Sequence, residues 1–198
     1  MARLADAWFN DPAMQSYTAS TRHYGFHATL KPPMALRPGY RREELRAELH
    51  DFAAIQPRLL IPRLQVSLLG SFLALTLAQP LPGLDALAAH CVEHFEPFRQ
   101  PESPEAAASR RRPSMSARQL ELLDRWGYPY VLEEWRFHMT LTSSLADPPV
   151  RTALLSRLQT YFAPALAEPL WLEDLCLFAQ PDRSSPFRLQ ERFPCSTK

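Results

Sequence analysis

The sequence predicts an α+β fold built from two similar halves, and three observations support this prediction. A Phe-His-x-Thr-Leu segment occurs twice, at residues 26–30 and again at 137–141. Each copy precedes an amphipathic helical pattern and then two apolar strand patterns joined by a turn. Residues 81–130 separate the two repeated halves and contain further helical patterns. Such a repeat predicts two lobes related by a pseudo-twofold axis.

The first half is expected to reach its histidine segment through a loop that extends to Arg22. The segment itself predicts a strand over 24–31, because the Pro32-Pro33 pair that follows cannot donate to a sheet ladder. Apolar residues then recur at helical spacing before two apolar runs rich in strand-forming residues. The predicted elements of this half are a helix over 1–9, the strand over 24–31, a helix over 41–55, and strands over 61–69 and 72–77 joined by Gly70-Ser71.

The connecting region and the second half follow from the same kinds of pattern. Ser116 is a candidate N-cap and Gly127 a candidate left-handed C-cap, which together predict a helix between them. Asp147 followed by two prolines is typical of a helix start. The predicted elements are a helix over 84–98, a long exposed loop over 100–115, the helix from 116 to 127, the histidine strand over 135–142, a helix from 147, and strands over 170–178 and 187–193 around a turn at 181–186.

Composition limits the classes of function. The formal charge of +1, from 22 basic and 21 acidic residues, argues against a broad nucleic-acid-binding platform. No apolar run approaches the roughly 18 to 20 residues that a membrane span needs. The three cysteines lie far apart and form no Cys-x-x-Cys pair, so neither a disulfide framework nor a zinc site is expected. These features favour a cytoplasmic protein.

Two further clusters have an ordinary and a functional interpretation. The run Arg110-Arg111-Arg112 is typical of a solvated loop, although it could also guide an anionic substrate or bind RNA. His90 and His94 are spaced by four residues on a helix, which could present two metal ligands on one face. No complete ligand set accompanies them, so ordinary surface histidines are the favoured interpretation and no metal is predicted.

The two histidine segments carry the chemistry. Side chains alternate along a strand, so His138 and Thr140 share one face with Arg136, while Phe137 and Met139 lie on the other. A histidine near its ordinary pKa of about 6.5 can accept or donate a proton near neutral pH, and threonine hydroxyls can bind phosphoryl oxygens. Two strands of this kind could direct four polar groups to one point.

The two segments resemble the paired His-x-Thr motifs of the two-histidine (2H) phosphoesterase superfamily. The longer strings YGFHATLKPP at 24–33 and WGYPYVLEEWRFHMTLT at 126–142 are similar to a bacterial branch associated with phosphonate metabolism. The resemblance extends from about residue 21 to the C-terminus. After Thr142 this chain has Ser143 and Ser144, where that branch is expected to have a glycine and a basic residue.

The resemblance implies a single bilobal domain over 1–198 with a cleft between two lobes. The expected division is a His27 lobe at about 21–80, connecting helices and loop at about 81–130, and a His138 lobe at about 131–198. It also implies a phosphodiesterase that needs neither metal nor cofactor and acts on a cyclic phosphodiester or an RNA end. The implied roles are acid and base for His27 and His138 and phosphate binding for Thr29 and Thr140.

Several neighbouring side chains are further candidates for substrate contact. Lys31 and Arg136 are expected on the polar faces of their strands and could meet phosphate oxygens. Tyr24, Tyr128 and Tyr130 could stack on a base or a sugar. Which histidine is the acid remains open, because the two segments are nearly symmetric. The alternative function is a non-catalytic module that binds a phosphate or a nucleotide end in the same cleft.

Overall fold

The computed structural model describes residues 1–182 and 184–197. It confirms the α+β class: helices pack with small antiparallel sheets. Two compact units interleave along the chain. Unit 1 comprises Met1–Ala28, Pro57–Leu81 and Phe137–Lys198, and unit 2 comprises Thr29–Gln56 and Pro82–Arg136. Both histidines fall in unit 1, so the units are divided differently from the expected lobes, and the pseudo-symmetric bilobal arrangement with its cleft stays a prediction.

The described residues form seven α-helices and seven strands. Short 3-10 turns add to these at Pro12–Met14, Glu96–Phe98 and Leu132–Glu134. The helices are α1 (Ala2–Asn10), α2 (Gln15–Tyr24), α3 (Arg42–Ile55), α4 (Pro82–His94), α5 (Pro104–Arg110), α6 (Ala117–Trp126) and α7 (Pro148–Leu166). The strands are β1 (Leu59–Ile61), β2 (Leu64–Leu69), β3 (Phe72–Leu77), β4 (His138–Thr140), β5 (Leu170–Leu172), β6 (Asp174–Ala179) and β7 (Arg188–Pro194).

Unit 1 contains a three-stranded antiparallel sheet in the order β2-β3-β4, with α7 packed on β2 and β3. Val66 and Leu75 lie opposite each other on the buried face of this sheet, 6% and 0% exposed. Two two-stranded sheets, β1-β5 and β6-β7, complete the strands of the unit. The sheet thus has one face covered by apolar packing, which leaves the other face for polar side chains.

Unit 2 is helical, and its core forms where α4 and α6 meet the turn at 132–134. Val92, Trp126 and Val131 belong to one buried cluster there, together with Leu122. Ser116 caps α6 by accepting from the backbone N–H of Gln119, and Gly127 ends it with a φ of 74°. Both caps and the helix between them were predicted from the sequence and are confirmed.

The prediction of a loop up to Arg22 and a strand over 24–31 is wrong. Residues Gln15–Tyr24 form α2, and Gly25 stops it with a φ of 71°. Beyond it only Ala28 pairs, in a single antiparallel bridge with Met139. The helix escaped prediction because its buried positions are filled by Thr18 and Thr21 rather than by aliphatic residues.

Other predicted elements need smaller corrections. The second histidine strand is β4 alone, shorter than the predicted 135–142. The loop predicted over 100–115 contains α5, capped by the hydroxyl of Ser103. The strand predicted over 170–178 is divided into β5 and β6, which pair with different partners. The predicted turn at 181–186 includes residue 183, which lies outside the described residues.

The remaining predictions of helices and of the β2-β3 hairpin are confirmed, with boundaries shifted by a few residues at most sites. Along the described chain, none of the helices combines the length and the apolar character that crossing a membrane requires.

Candidate functional site

The open face of the β2-β3-β4 sheet carries polar side chains. His138 on β4 lies directly opposite Thr76 on β3, and Thr140 lies opposite Ala74. Cross-strand partners point to the same side of a sheet, with Cβ atoms about 4.5–5.5 Å apart. His138 and Thr140 therefore share one face, as the alternation of the sequence predicted.

His27 joins this face through the bridge between Ala28 and Met139. In antiparallel pairing the residue before Ala28 lies beside the residue after Met139, which places His27 next to Thr140. His27 and His138 are also close enough to interact electrostatically. The structure thus brings together His27, His138 and Thr140, three of the four motif residues that the sequence singled out.

The imidazole of His27 has a defined tautomer. Its Nδ1 lies 3.1 Å from the carbonyl oxygen of Gly25, and a carbonyl can only accept, so Nδ1 carries the proton. In the neutral ring Nε2 is then the basic nitrogen. Burial lowers the pKa of His27, the bond to Gly25 opposes this, and the proximity of His138 lowers the pKa further. Burial and the proximity of His138 thus both favour the neutral form of the His27 ring.

Aromatic rings surround His27. The ring of Phe178 lies 5.7 Å from its centroid and that of Tyr24 lies 6.4 Å away. Tyr24 stacks on Phe187 at 5.5 Å with an interplanar angle of 20°, and the backbone N–H of Phe187 donates to the carbonyl of His23. Tyr24 is 45% exposed, so this stack presents a planar apolar surface to solvent beside His27.

Phe178 and Phe187 were not among the predicted site residues. They lie on β6 and just before β7, at the two ends of the turn that joins these strands. Their aromatic character near a Pro-containing turn was visible in the sequence. The contacts of Phe178 with His27 and of Phe187 with Tyr24 could not be predicted from the sequence. They depend on packing between distant segments, such as the end of α2 and the residue before β7.

His138 is held in a more rigid setting. Its ring lies 5.8 Å from that of Phe72, which belongs to the same face of the sheet. The residues after β4 are anchored to buried groups: the indole Nε1 of Trp8 donates to the carbonyl of Leu141 at 3.0 Å. The hydroxyl of Thr142 accepts from the backbone N–H of Leu73, also at 3.0 Å.

Ser143 and Ser144 are part of the same anchoring. The backbone N–H of Ser143 donates to the carbonyl of Tyr17 at 2.6 Å, and its hydroxyl accepts from the hydroxyl of Ser20 at 2.9 Å. The hydroxyl of Ser144 donates to that of Ser71. These serines therefore tie the segment after β4 to α2 and to the turn of the β2-β3 hairpin.

The other predicted site residues belong to unit 2. Thr29 begins that unit and accepts, through its carbonyl, from the indole of Trp135 at 2.9 Å. Arg136 ends the unit and is exposed. Tyr130 is 47% exposed, and its ring meets that of Tyr128 edge to face at 5.7 Å. The roles predicted for their side chains stay predictions.

Lys31 is committed to a network inside unit 2. Its ammonium group donates to the carbonyl of Val92 at 2.9 Å and to the carboxylate of Glu96 at 3.1 Å. Glu96 also pairs with Arg99 at 2.6 Å. Burial lowers the pKa of Lys31, while the carboxylate of Glu96 acts in the opposite direction. Two of the three donors of the Lys31 ammonium group are thus engaged within unit 2.

The arginine run is also paired. Arg110 contacts Glu102 at 2.5 Å and the carbonyl of Gly127 at 2.9 Å, and Arg111 pairs with Asp124 at 2.5 Å. Two of the three guanidinium groups are thus engaged with acidic groups of the same unit. This pairing favours the structural interpretation of the run over an RNA-binding surface.

Metal coordination has no candidate group in the described part of the chain. His94 lies with its Nε2 at 2.6 Å from the carboxylate of Glu48 and packs against Phe52. No three His, Cys, Asp or Glu side chains among residues 1–182 and 184–197 are grouped so that they could hold a metal ion.

The geometry on the open face is suited to general acid–base chemistry. A histidine whose burial favours the neutral ring lies close to a second histidine, and Thr140 shares their face of the sheet. Such a pair can move a proton to and from oxygen atoms of a bound molecule.

Comparisons with known proteins identify relatives. The family model DUF1045, described as a protein of unknown function, matches residues 29–188. A protein of Janthinobacterium sp. (strain Marseille) named ribose 1,5-bisphosphate phosphokinase PhnN is 40% identical over 186 residues, which cover 92% of this chain and 41% of that protein. A protein of the same name from Laribacter hongkongensis (strain HLHK9) is 34% identical over 196 residues, covering 93% of this chain and 44% of that protein. The chain thus spans less than half the length of both.

These names overturn the functional prediction made from the sequence. A phosphokinase transfers a phosphoryl group to an acceptor, whereas the resemblance implied hydrolysis of a cyclic phosphodiester. The prediction of a cyclic phosphodiesterase is therefore wrong. The alternative of a non-catalytic module for phosphate or nucleotide ends has no support from the relatives either.

Proposed function

This chain is a member of the DUF1045 family, and we propose that it acts by general acid–base chemistry on a small phosphorylated ribose, in phosphonate metabolism and in the cytoplasm. The observation that carries the proposal is the pairing of the His27 and His138 segments through the bridge between Ala28 and Met139. The relatives' name supplies the ligand class, because ribose 1,5-bisphosphate is a phosphorylated ribose.

In this proposal His27 removes a proton from an oxygen of the ligand through Nε2. That oxygen forms the new bond, while His138 donates a proton to the neighbouring oxygen whose bond to the same centre breaks, and the hydroxyl of Thr140 binds a phosphoryl oxygen. The bond from His27 Nδ1 to the Gly25 carbonyl supports this division, because it fixes the ring with Nε2 as the basic nitrogen.

We assign the kinase reaction of the two relatives to the part of their sequences that this chain does not match. The common nucleotide-binding loop of such kinases needs a Gly-rich segment that ends in Gly-Lys-Ser or Gly-Lys-Thr. This chain has five glycines and contains neither sequence. We therefore assign to it a separate step on the same class of sugar phosphate.

Membership of the 2H superfamily is part of the proposal, as a relationship of fold and motif and not of cyclic phosphodiesterase activity. It is supported by the two Phe-His-x-Thr-Leu segments. Thr29, Lys31, Arg136 and Tyr130 are further candidates for contact with the ligand in this proposal.

The test is turnover of phosphorylated riboses by the purified chain. Ribose 5-phosphate and ribose 1,5-bisphosphate are incubated without nucleotide, and new phosphorus signals are followed by ³¹P NMR. We expect conversion of at least one of them, and a fall in rate of about 10²- to 10⁴-fold in His27→Ala and in His138→Ala, the usual contribution of a positioned acid or base.

His50→Ala is the matched control, because this side chain is exposed on α3 and pairs only locally with Asp51 at 3.1 Å. Its rate should equal that of the wild type. The proposal fails if neither ribose phosphate is converted, or if the His27 and His138 variants convert it as fast as the His50 variant.

A further inference from the structure

The polar face that holds His138 continues away from it across the sheet. In the register of the three strands, Gln65, Thr76 and His138 form one row, each directly opposite the next. Ser67, Ala74 and Thr140 form the neighbouring row. A molecule held at His138 therefore meets the side chain of Thr76 next, because cross-strand Cβ atoms are about 4.5–5.5 Å apart. Ser67 lies beyond Thr76, on β2.

Thr76 and Ser67 are linked to each other by a hydrogen bond. The hydroxyl of Thr76 donates to that of Ser67 at 2.9 Å, and both side chains are only half-buried. A hydroxyl has one proton and two lone pairs, so the pair keeps one O–H donor and several acceptor positions for a third group. A sugar hydroxyl, which both donates and accepts, matches this set.

The two ends of the site differ in chemistry. The rings of Phe178 and Tyr24 lie beside His27, and Phe187 stacks on Tyr24, so this end offers ring faces and few hydrogen bonds. Thr76 lies opposite His138 and carries a hydroxyl group instead, and this hydroxyl is hydrogen-bonded to that of Ser67. A ligand with its hydroxyl groups toward His138 would satisfy the polar end.

We propose that Ser67 and Thr76 form a subsite that binds a ring hydroxyl of the ligand beside His138, and so selects a polyhydroxylated sugar phosphate over its deoxy counterpart. This inference rests on the proposed function. It adds a specificity-determining pair that does not take part in proton transfer. Gln65, at the outer end of the same row, extends the subsite toward solvent.

The subsite is tested by binding, measured by isothermal titration calorimetry with ribose 5-phosphate, 2-deoxyribose 5-phosphate and 3-deoxyribose 5-phosphate. We expect the wild type to bind ribose 5-phosphate about 5- to 20-fold more tightly than at least one deoxy sugar, as expected for one hydrogen bond. In the double variant Ser67→Ala, Thr76→Val this preference should disappear. Thr76→Ser, which keeps the hydroxyl, should retain it.

The outcomes separate the two proposals. If the double variant weakens binding of ribose 5-phosphate and of both deoxy sugars by the same factor, the hydroxyl pair is only structural and the subsite is overturned, while the proposed function stands. Equal binding of all three sugars by the wild type would also overturn the subsite alone. If the wild type binds none of them, both proposals fail. Circular dichroism and the Tm of each variant establish that it is folded.

Discussion

The two Phe-His-x-Thr-Leu segments are nearly identical in sequence but are held in different ways. The His138 segment forms β4 within a three-stranded sheet, and Trp8 and Thr142 fix the residues that follow it. The His27 segment follows the end of α2 and pairs with β4 only at Ala28. The same five-residue pattern thus provides one side chain on a rigid sheet and one at a helix terminus.

The difference bears on the chemistry assigned to each histidine. A side chain on a paired strand keeps its direction because the ladder and its neighbours fix the backbone. The His27 ring instead contacts the carbonyl of Gly25 through Nδ1 and packs against an aromatic ring. Perturbing the two sets of supports separately should therefore have distinct consequences.

The largest effect is expected at the anchor of the His138 segment. Trp8 is 1% exposed, and Trp8→Ala would remove its packing and its bond to the Leu141 carbonyl, lowering the free energy of unfolding by about 3–5 kcal/mol. Thermal and urea denaturation measure this. Trp171→Ala is the control, because Trp171 is 50% exposed, and it should cost about 1 kcal/mol or less. Similar losses in the two variants would show that Trp8 is not an anchor.

Gly25→Ala tests the support of His27. Gly25 has φ 71° and ψ −176°, a conformation that essentially only glycine adopts, so the substitution should cost about 1–3 kcal/mol of stability and displace the carbonyl that holds His27. We expect a lower Tm together with slower conversion of ribose phosphates. Gly39→Ala also imposes a side chain at positive φ, 97°, but should lower the Tm without slowing turnover. Equal turnover in the two variants would contradict the role assigned to the Gly25 carbonyl.

The contrast between the segments was only half predictable from the sequence. The sheet face with His138 and Thr140 follows from alternation, and β2 and β3 follow from their apolar runs. The helix α2 was missed because Thr18 and Thr21 fill its buried face, whereas sequence patterns rely on aliphatic residues. The neighbours Phe178 and Phe187 depend on long-range packing that no local pattern encodes.

Charges in unit 2 illustrate the same limit. Only two of the 22 basic residues in the sequence are lysines, Lys31 and the C-terminal residue 198, and this rarity made Lys31 a candidate phosphate ligand. Its partners in the structure, Val92 and Glu96, lie on or just beyond α4, far along the sequence. A composition argument can identify an unusual residue but cannot tell whether its charge is satisfied internally.

Thr142→Val should lower the free energy of unfolding by less than Trp8→Ala or Gly25→Ala. Thr142 is 1% exposed, and valine keeps its shape but leaves the backbone N–H of Leu73 without its acceptor, at a cost of about 1–2 kcal/mol. Thr142→Ser retains the hydroxyl and should keep the slow amide hydrogen exchange expected for Leu73. Amide hydrogen exchange measured by NMR distinguishes the two variants. If the amide of Leu73 exchanges as slowly in Thr142→Val as in the wild type, the hydroxyl of Thr142 does not hold this strand.

The smallest effect concerns the charge of His27. Because burial lowers its pKa below 6.5, the folded protein binds fewer protons than the unfolded chain around that pH. The free energy of unfolding should therefore fall as the pH decreases through this range and recover above it. His27→Gln, which cannot ionise, should flatten this dependence, whereas His50→Gln at an exposed site should leave the contribution of His27 in place. Urea denaturation between pH 5 and 8 measures how the free energy of unfolding changes with pH in the wild type and in the two variants. If this dependence is the same in His27→Gln as in the wild type, His27 is protonated as easily in the folded protein as in the unfolded chain.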